Sequence, residues 1–258
     1  MGKDNAAARI QVLDRAARIL ELFTPERPEV RFSDMVTESG LNKSTVFNIA
    51  DTLRQLGFLE QDEDSRKYRL GHQFLRYGEI AHNSVEIVKI AEPFMCRLRD
   101  CVNETVQLAK LQGNETIYLH KAECLQSVKT FSMVGAANPA YATGLGKAML
   151  AYRDAEYLQT HFPAELPRLT EYTLPDLESL KTELAAVRAE GIAFDREEYC
   201  TGLQCFACPV FDRKGTAVYA ISVSAPTYRI SEEKAAQICA QLKETARQIS
   251  RQLGYAAV

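Results

Sequence analysis

Between Glu190 and Ala225 the chain reads EGIAFDREEYCTGLQCFACPVFDRKGTAVYAISVSA, and the side chains able to do chemistry crowd there. Ser222 and Ser224 stand two residues apart in a run with strand character, and residues two apart on a strand share a face. Cys205 and Ala207 share a face for the same reason, whereas Cys208 points the other way. Two hydroxyls and one thiol can floor a pocket. With an acidic loop at Asp195 and the helix-opening amides of Gly144 and Leu145, they supply donors suited to a carboxylate or keto acid. The plainer alternative packs both serines inside the sheet and leaves Asp195 to cap a turn.

The cysteines invite two other chemistries. Cys200-x4-Cys205-x2-Cys208 is similar in spacing to part of an iron–sulfur run. Against it, Cys205 and Cys208 fall on opposite strand faces, and no fourth ligand or nearby histidine completes a convergent set of four. No metal or other cofactor is expected. A thiol-based redox sensor or thiol enzyme using Cys205 is the alternative function, because a pocket thiol can be accessible. His72, His82, His120 and His161 are scattered and offer no base at a defensible spacing. In PAYATGLGKAML, Gly144-x-Gly146 lacks the third glycine of a dinucleotide fingerprint. Gly146-Lys147 lacks the leading glycine and the Ser or Thr of a phosphate loop.

The elements that must position these groups follow from periodicity. Residues 105–110 and 116–122 are short alternating or apolar runs around Gln112-Gly113-Asn114, which predicts a hairpin, and residues 128–134 predict a further strand. An extended piece after Pro139 leads to a helix over about 147–152. Leu177, Leu180, Leu184 and Val187 define a helix stopped at Gly191. Ser231 caps a last helix, with Glu232 and Glu233 in the first turn, where the helix dipole favours acids. Strands interspersed with helices after residue 100 imply an α+β domain with one antiparallel sheet covered by helices.

The N-terminal third has a different rhythm. Ile10, Leu13, Ala17, Leu20 and Phe23 predict a helix over 8–23. A shorter helix is expected from Ser33, as N-cap, to Gly40. Asn42 then caps a third helix with Leu41, Val46, Ile49, Ala50, Leu53 and Leu56 inward and Lys43, Ser44, Thr45, Asn48 and Asp51 outward. Strands near 58–61 and 67–70 flank a polar turn. Three helices and a two-stranded wing are the organisation of a winged helix-turn-helix. Lys43, Ser44, Thr45 and Asn48 are then set to meet phosphates and base edges in a major groove, with Arg66 and Lys67 on adjacent backbone. Singly, such residues serve equally as caps and solubilising surface; their ordered setting favours DNA. Apolar residues from Phe74 to Leu98 predict a linker helix, a break near His82-Asn83-Ser84 and a longer helix to about Val102. Pro93 should kink it or mark its first turn.

Whole-chain totals agree with two unequal domains. The 258 residues are 46% apolar and 25% charged, enough for a sizeable core. A net charge of −3 argues against coating nucleic acid by bulk charge but leaves room for a local basic face. No apolar run approaches a membrane span, the start lacks a signal-peptide core, and the seven irregularly spaced cysteines read as reduced thiols, so a cytoplasmic location is expected.

Three stretches together carry a family resemblance: LNKSTVFNIADTLRQLGFLEQDEDSRKYRLG, PAYATGLGKAMLA and GIAFDREEYCTGLQCFACPVFDRKGTAVYAISVSAP. The sequence resembles the IclR-type bacterial transcriptional regulators over nearly its whole length. The resemblance implies a winged helix-turn-helix over 1–71, a linker helix over 72–90 and a GAF-like effector-binding domain over 91–258. It also implies a homodimer, assembling as a dimer of dimers, on a palindromic DNA operator, repressing or activating a catabolic operon without enzyme activity. Positions matching the small-organic-acid site of relatives are Gly144, Leu145, Asp195, Cys205, Ser222 and Ser224, with Leu203 lining the same space. Tyr141, in a P-x-Y-x-T setting, is similar to the branch that senses sugar-derived keto acids. Asn42 departs from the proline or serine common before the third helix, and Leu145 stands at a position that varies between members.

Overall fold

In the computed structural model, which describes residues 10–84, 86–126 and 132–256, the periodic apolar residues of the N-terminal third fold as expected into short helices and a wing. The order is α1 (Gln11–Leu20), β1 (Glu29–Val30), α2 (Phe32–Ser39), α3 (Lys43–Gln55), β2 (Leu59–Gln61), β3 (Tyr68–Leu70) and α4 (Gln73–Ser84). Ile19, Val30, Met35, Val46, Ala50 and Leu59 are buried together. Gly40 lies between α2 and α3 at φ +67°, a backbone state that side chains rarely adopt. Asn42 Oδ1 accepts from the Thr45 backbone N–H at 2.8 Å, a cap worth about 1 kcal/mol.

Several expectations shift. Of the helix over 8–23, residues 8 and 9 lie outside the described residues, and α1 ends at Leu20. Arg31, not Ser33, occupies the N-cap of α2, because the chain is still extended there and Ser33 already lies in the first turn. Leu56 is exposed, since α3 ends at Gln55 and the chain turns away from the core. The wing gains a third strand: β3 pairs with both β2 and β1 in the order β1-β3-β2.

The second unit, following Ser84, is built on one sheet. Its elements are α5 (Glu86–Val102), β4 (Thr105–Gln112), β5 (Glu115–Ala122), β6 (Ala137–Pro139), α6 (Gly144–Leu150), α7 (Ala155–His161), α8 (Leu177–Glu190), β7 (Ala193–Arg196), β8 (Leu203–Phe211), β9 (Ala217–Pro226) and α9 (Glu232–Gln252). Strand order is β6-β5-β4-β9-β8-β7, antiparallel at every pairing. Alternation sorts the side chains as a pleat demands. Val106, Leu108, Phe206, Cys208, Ile221 and Val223 pack under α5 and α9, with Met95, Leu98, Ile238, Leu242 and Ile249 opposite them. Ala109, Ala207 and Ala220 face the other layer, which holds α6, α7 and α8. The α+β architecture with a helix-covered antiparallel sheet is as read from the sequence.

Local corrections here concern the site. Ala140–Ala142 form a 3-10 turn instead of an extended piece, and α6 begins at Gly144, earlier than residue 147, because Thr143 Oγ1 caps it by accepting from Gly146 N at 3.1 Å. A Cβ on Gly146 would lie 2.1 Å from the Ala140 carbonyl oxygen, so only glycine permits that turn to lie against the helix. Of the strand expected over 128–134, residues 128–131 lie outside the described residues, and residues 132–134 are loop and turn. Pro93 sits in the interior of α5. Among the described residues no helix is long and apolar enough to cross a membrane.

Candidate functional site

The strand order places β4, β9 and β8 side by side, with Gln107 opposite Ser222 and Ser224 opposite Cys205. These four side chains share the face covered by α6, and all are buried. Ser222 Oγ and Ser224 Oγ donate to Gln107 Oε1 at 3.0 and 2.9 Å, and Gln107 Nε2 donates to Ser132 Oγ at 2.7 Å. Ser224 Oγ also lies 3.1 Å from Cys205 Sγ. A hydroxyl has one proton, so Gln107 Oε1 and Cys205 Sγ are alternative acceptors for Ser224 Oγ.

The sequence predicts a loop at Asp195. The residue lies instead on edge strand β7, paired with Cys205, because backbone pairing with β8 outweighs the low strand propensity of Asp. Its Oδ1 accepts from the backbone N–H groups of Glu198 and Tyr199 at 2.9 and 3.4 Å. Burial, then the neighbouring Glu198 carboxylate, push its pKa up to about 7 against the pull of Lys147. Burial and the Asp195 charge likewise push the Cys205 thiol up, leaving little thiolate, the reverse of a reactive cysteine. The start of α6 closes the site, where a Cβ on Gly144 would stand 3.3 Å from Ala207 Cβ and 3.7 Å from Cys205 Cβ. Gly144, Leu145, Asp195, Leu203, Cys205, Ser222 and Ser224 thus line one narrow pocket.

Residues with weaker signals in the sequence also line it. Tyr199 Oη donates to Asn138 Oδ1 at 3.0 Å, and Asn138 Nδ2 donates to Tyr118 Oη at 3.3 Å, forming a polar wall. Gln107 had a legible signal, being a polar residue set between Val106 and Leu108 in β4. Lys147 had another, as the sole charge in GLGKAML. It is fully buried, with Nζ 2.5 Å from Glu198 Oε1 and 3.5 Å from Glu183 Oε1. Glu198 Oε2 is buried without a hydrogen-bond partner, and burial raises the Glu198 pKa despite the lysine.

The metal reading fails on geometry. Cys205 faces the pocket and Cys208 the opposite core, Cys200 is exposed, and among the described residues no group of three or more His, Cys, Asp or Glu is placed to hold a metal ion.

On α3, Lys43, Ser44 and Asn48 are exposed and Thr45 half-buried. Ser44 Oγ donates to Asn42 Oδ1 at 2.9 Å, so its proton serves the cap. Arg66 is exposed in the wing turn at φ +58°, while Lys67 Nζ pairs with Glu29 at 3.1 Å.

Residues 12–63 match the model of the IclR helix-turn-helix domain, and residues 80–251 match that of the bacterial transcriptional regulator IclR C-terminal domain. The HTH-type transcriptional regulator KdgR of Escherichia coli K12 is 36% identical over 238 residues, 92% of this chain and 90% of that protein. The crystal structure of the Thermotoga maritima IclR aligns with TM-score 0.78 at 30% identity, over 96% of this chain and all of that one. An IclR homologue from Microbacterium hydrocarbonoxydans, crystallised in complex with 4-hydroxybenzoate, aligns with TM-score 0.79 at 27% identity, over 94% of this chain and 98% of that one. The matched domains and named relatives are those of DNA-binding transcriptional regulators and not of enzymes. With both domain models matched across most of its length, the chain belongs to the IclR family of bacterial transcriptional regulators.

Proposed function

We propose that this regulator controls a catabolic operon and that its operator affinity is set by a small carboxylic or keto acid held between Ser222, Ser224, Cys205, Asp195 and the Gly144-Leu145 amides. The observation carrying this reading is the shared acceptor Gln107 Oε1, on which both serine hydroxyls converge. An effector carboxylate entering the pocket takes the place of that amide oxygen and receives both protons, forming charge-assisted bonds stronger than the neutral ones they replace. The 4-hydroxybenzoate bound to the M. hydrocarbonoxydans homologue supports an organic-acid class. Coupling to DNA requires that the acid bind the DNA-competent and DNA-incompetent arrangements unequally.

Lys43, Ser44, Thr45 and Asn48 enter the major groove in this reading, with Arg66 and Lys67 against the backbone. Lys43 has no carboxylate partner among the described residues, so its ammonium is free for a phosphate. A palindromic operator implies a homodimer, and a dimer of dimers extends it. Exposed Ile10, Val12 and Leu13 at α1 and Leu75, Tyr77 and Ile80 on α4 are the apolar surface a second copy would cover.

Two measurements test these assignments. A thermal-shift screen against glyoxylate, pyruvate, sugar keto acids and aromatic acids should find a stabilising ligand, because whatever binds only the folded state raises its melting temperature. Its effect should vanish in Ser222→Ala and Ser224→Ala; an undiminished shift in both would remove the serines from the site. In DNA binding, Lys43→Ala should weaken all duplexes alike and reduce the slope of log K against log salt by about 0.9 per lost phosphate contact. An unchanged slope would take Lys43 off the phosphates.

A further inference from the structure

We infer that Phe47 is a base-reading residue, its ring edge taking up the C5-methyl group of a thymine in the major groove; this rests on the DNA-binding reading of α3. Phe47 sits one turn beyond Lys43 and Ser44 and directly before Asn48, so the four share one helix face. It is 56% exposed, in the midst of the polar groups assigned to DNA. Isolated exposed apolar side chains are ordinary, but this one is held in place. Phe32, the first residue of α2, meets it edge to face at 6.3 Å between ring centroids and an interplanar angle of 82°.

Both rings, with Lys43, Ser44 and Asn48, border one open hollow. The chemistry around the ring selects its occupant. At the rim, Lys43 has no carboxylate partner among the described residues, and the nearest acid on the helix, Asp51, is committed to Arg54 at 2.8 Å and Gln55 at 2.6 Å. An apolar centre beside an uncompensated cation fits an anionic partner that also presents a small apolar group. A duplex with a thymine methyl in the groove has both. Ser44 has its proton committed to Asn42, and Asn48 and Phe47 stand beside it as groups able to discriminate bases. Asn pairs with the adenine N6 and N7 edge and Phe with the thymine methyl.

The test uses the full-length protein. Duplexes are first enriched from a random library; then each thymine of the selected site is replaced in turn by 2′-deoxyuridine, which removes the methyl and nothing else. Wild type should lose about fourfold in affinity at one or more thymines in each half-site, the value of one buried methyl group. Phe47→Ala should be insensitive to that substitution, and Phe47→Leu, which keeps an apolar group there, should retain part of it. If no thymine is sensitive, or if Phe47→Ala keeps the full uracil penalty, the inference is wrong while the DNA-binding reading survives. If wild type enriches no duplex, both fall together.

Discussion

Lys147→Ala should destabilise the second unit by about 3–5 kcal/mol at neutral pH, the magnitude seen when one partner of a buried ion pair is removed. Lys147 is fully buried, and its ammonium is the counter-charge for Glu198, which is itself 5% exposed. Without it, Glu198 and the adjacent Asp195 face each other in the interior uncompensated. The double variant Lys147→Met/Glu198→Gln should recover most of the loss, because removing both charges leaves neither uncompensated. The deficit should also depend on pH. Burial already raises the folded-state pKa of Glu198 above its ordinary value, and losing the lysine raises it further. A raised carboxyl pKa contributes stability at low pH that is lost as pH rises through the folded value. The Lys147→Ala deficit therefore shrinks on acidification and is largest above neutrality. The chain has no tryptophan, so circular dichroism during urea unfolding at pH 5 and pH 8 is the suitable readout. Equal deficits at both would show that the lysine does not act through its charge.

Effector affinity should fall about tenfold per pH unit above pH 7 and be flat below about pH 6. Asp195 carries a pKa of about 7, so it is protonated in the acid limb, and an anionic effector meets a neutral carboxyl there. Above pH 7 the same effector must bind beside a carboxylate, and protonating that group first costs one factor of ten per unit. The groups facing Asp195 are Glu198, which opposes its ionisation, and Lys147, which favours it, with Tyr199, Tyr118 and Cys205 also close. Asp195→Asn should hold the low-pH affinity across the range. Isothermal titration in buffers of different ionisation enthalpy reads the proton uptake directly; an affinity and proton count constant from pH 5.5 to 8.5 would place the effector charge away from Asp195.

How far each feature could be read from sequence depended on how local its cause is. Caps and turns are local. Asn42, Ser231, Gly40 and Gly191 act within a few residues of themselves and lie at helix ends as read. Strand alternation is local too, which is why the division of Cys205 from Cys208 was legible. Convergence is not. Gln107 reaches Ser222 only because β4 pairs with β9, and Lys147 reaches Glu198 across 51 residues. β1 was invisible because a two-residue strand has no pattern of its own and exists through its pairing with β3. Asp195 reads as loop because a four-residue edge strand holding Asp and Arg has no strand pattern until its partner is known. Helical phase points Leu56 inward, although α3 ends just before it.

Coupling between pocket and operator is read by operator affinity from fluorescence anisotropy on an enriched duplex, at fixed salt, with and without saturating effector, and by the converse titration of effector with and without DNA. The acid should change the operator Kd by about 5- to 150-fold and the duplex should change the effector Kd by the same factor, since coupling between two binding sites is reciprocal. Equal operator Kd values with the pocket filled and empty would contradict this coupling.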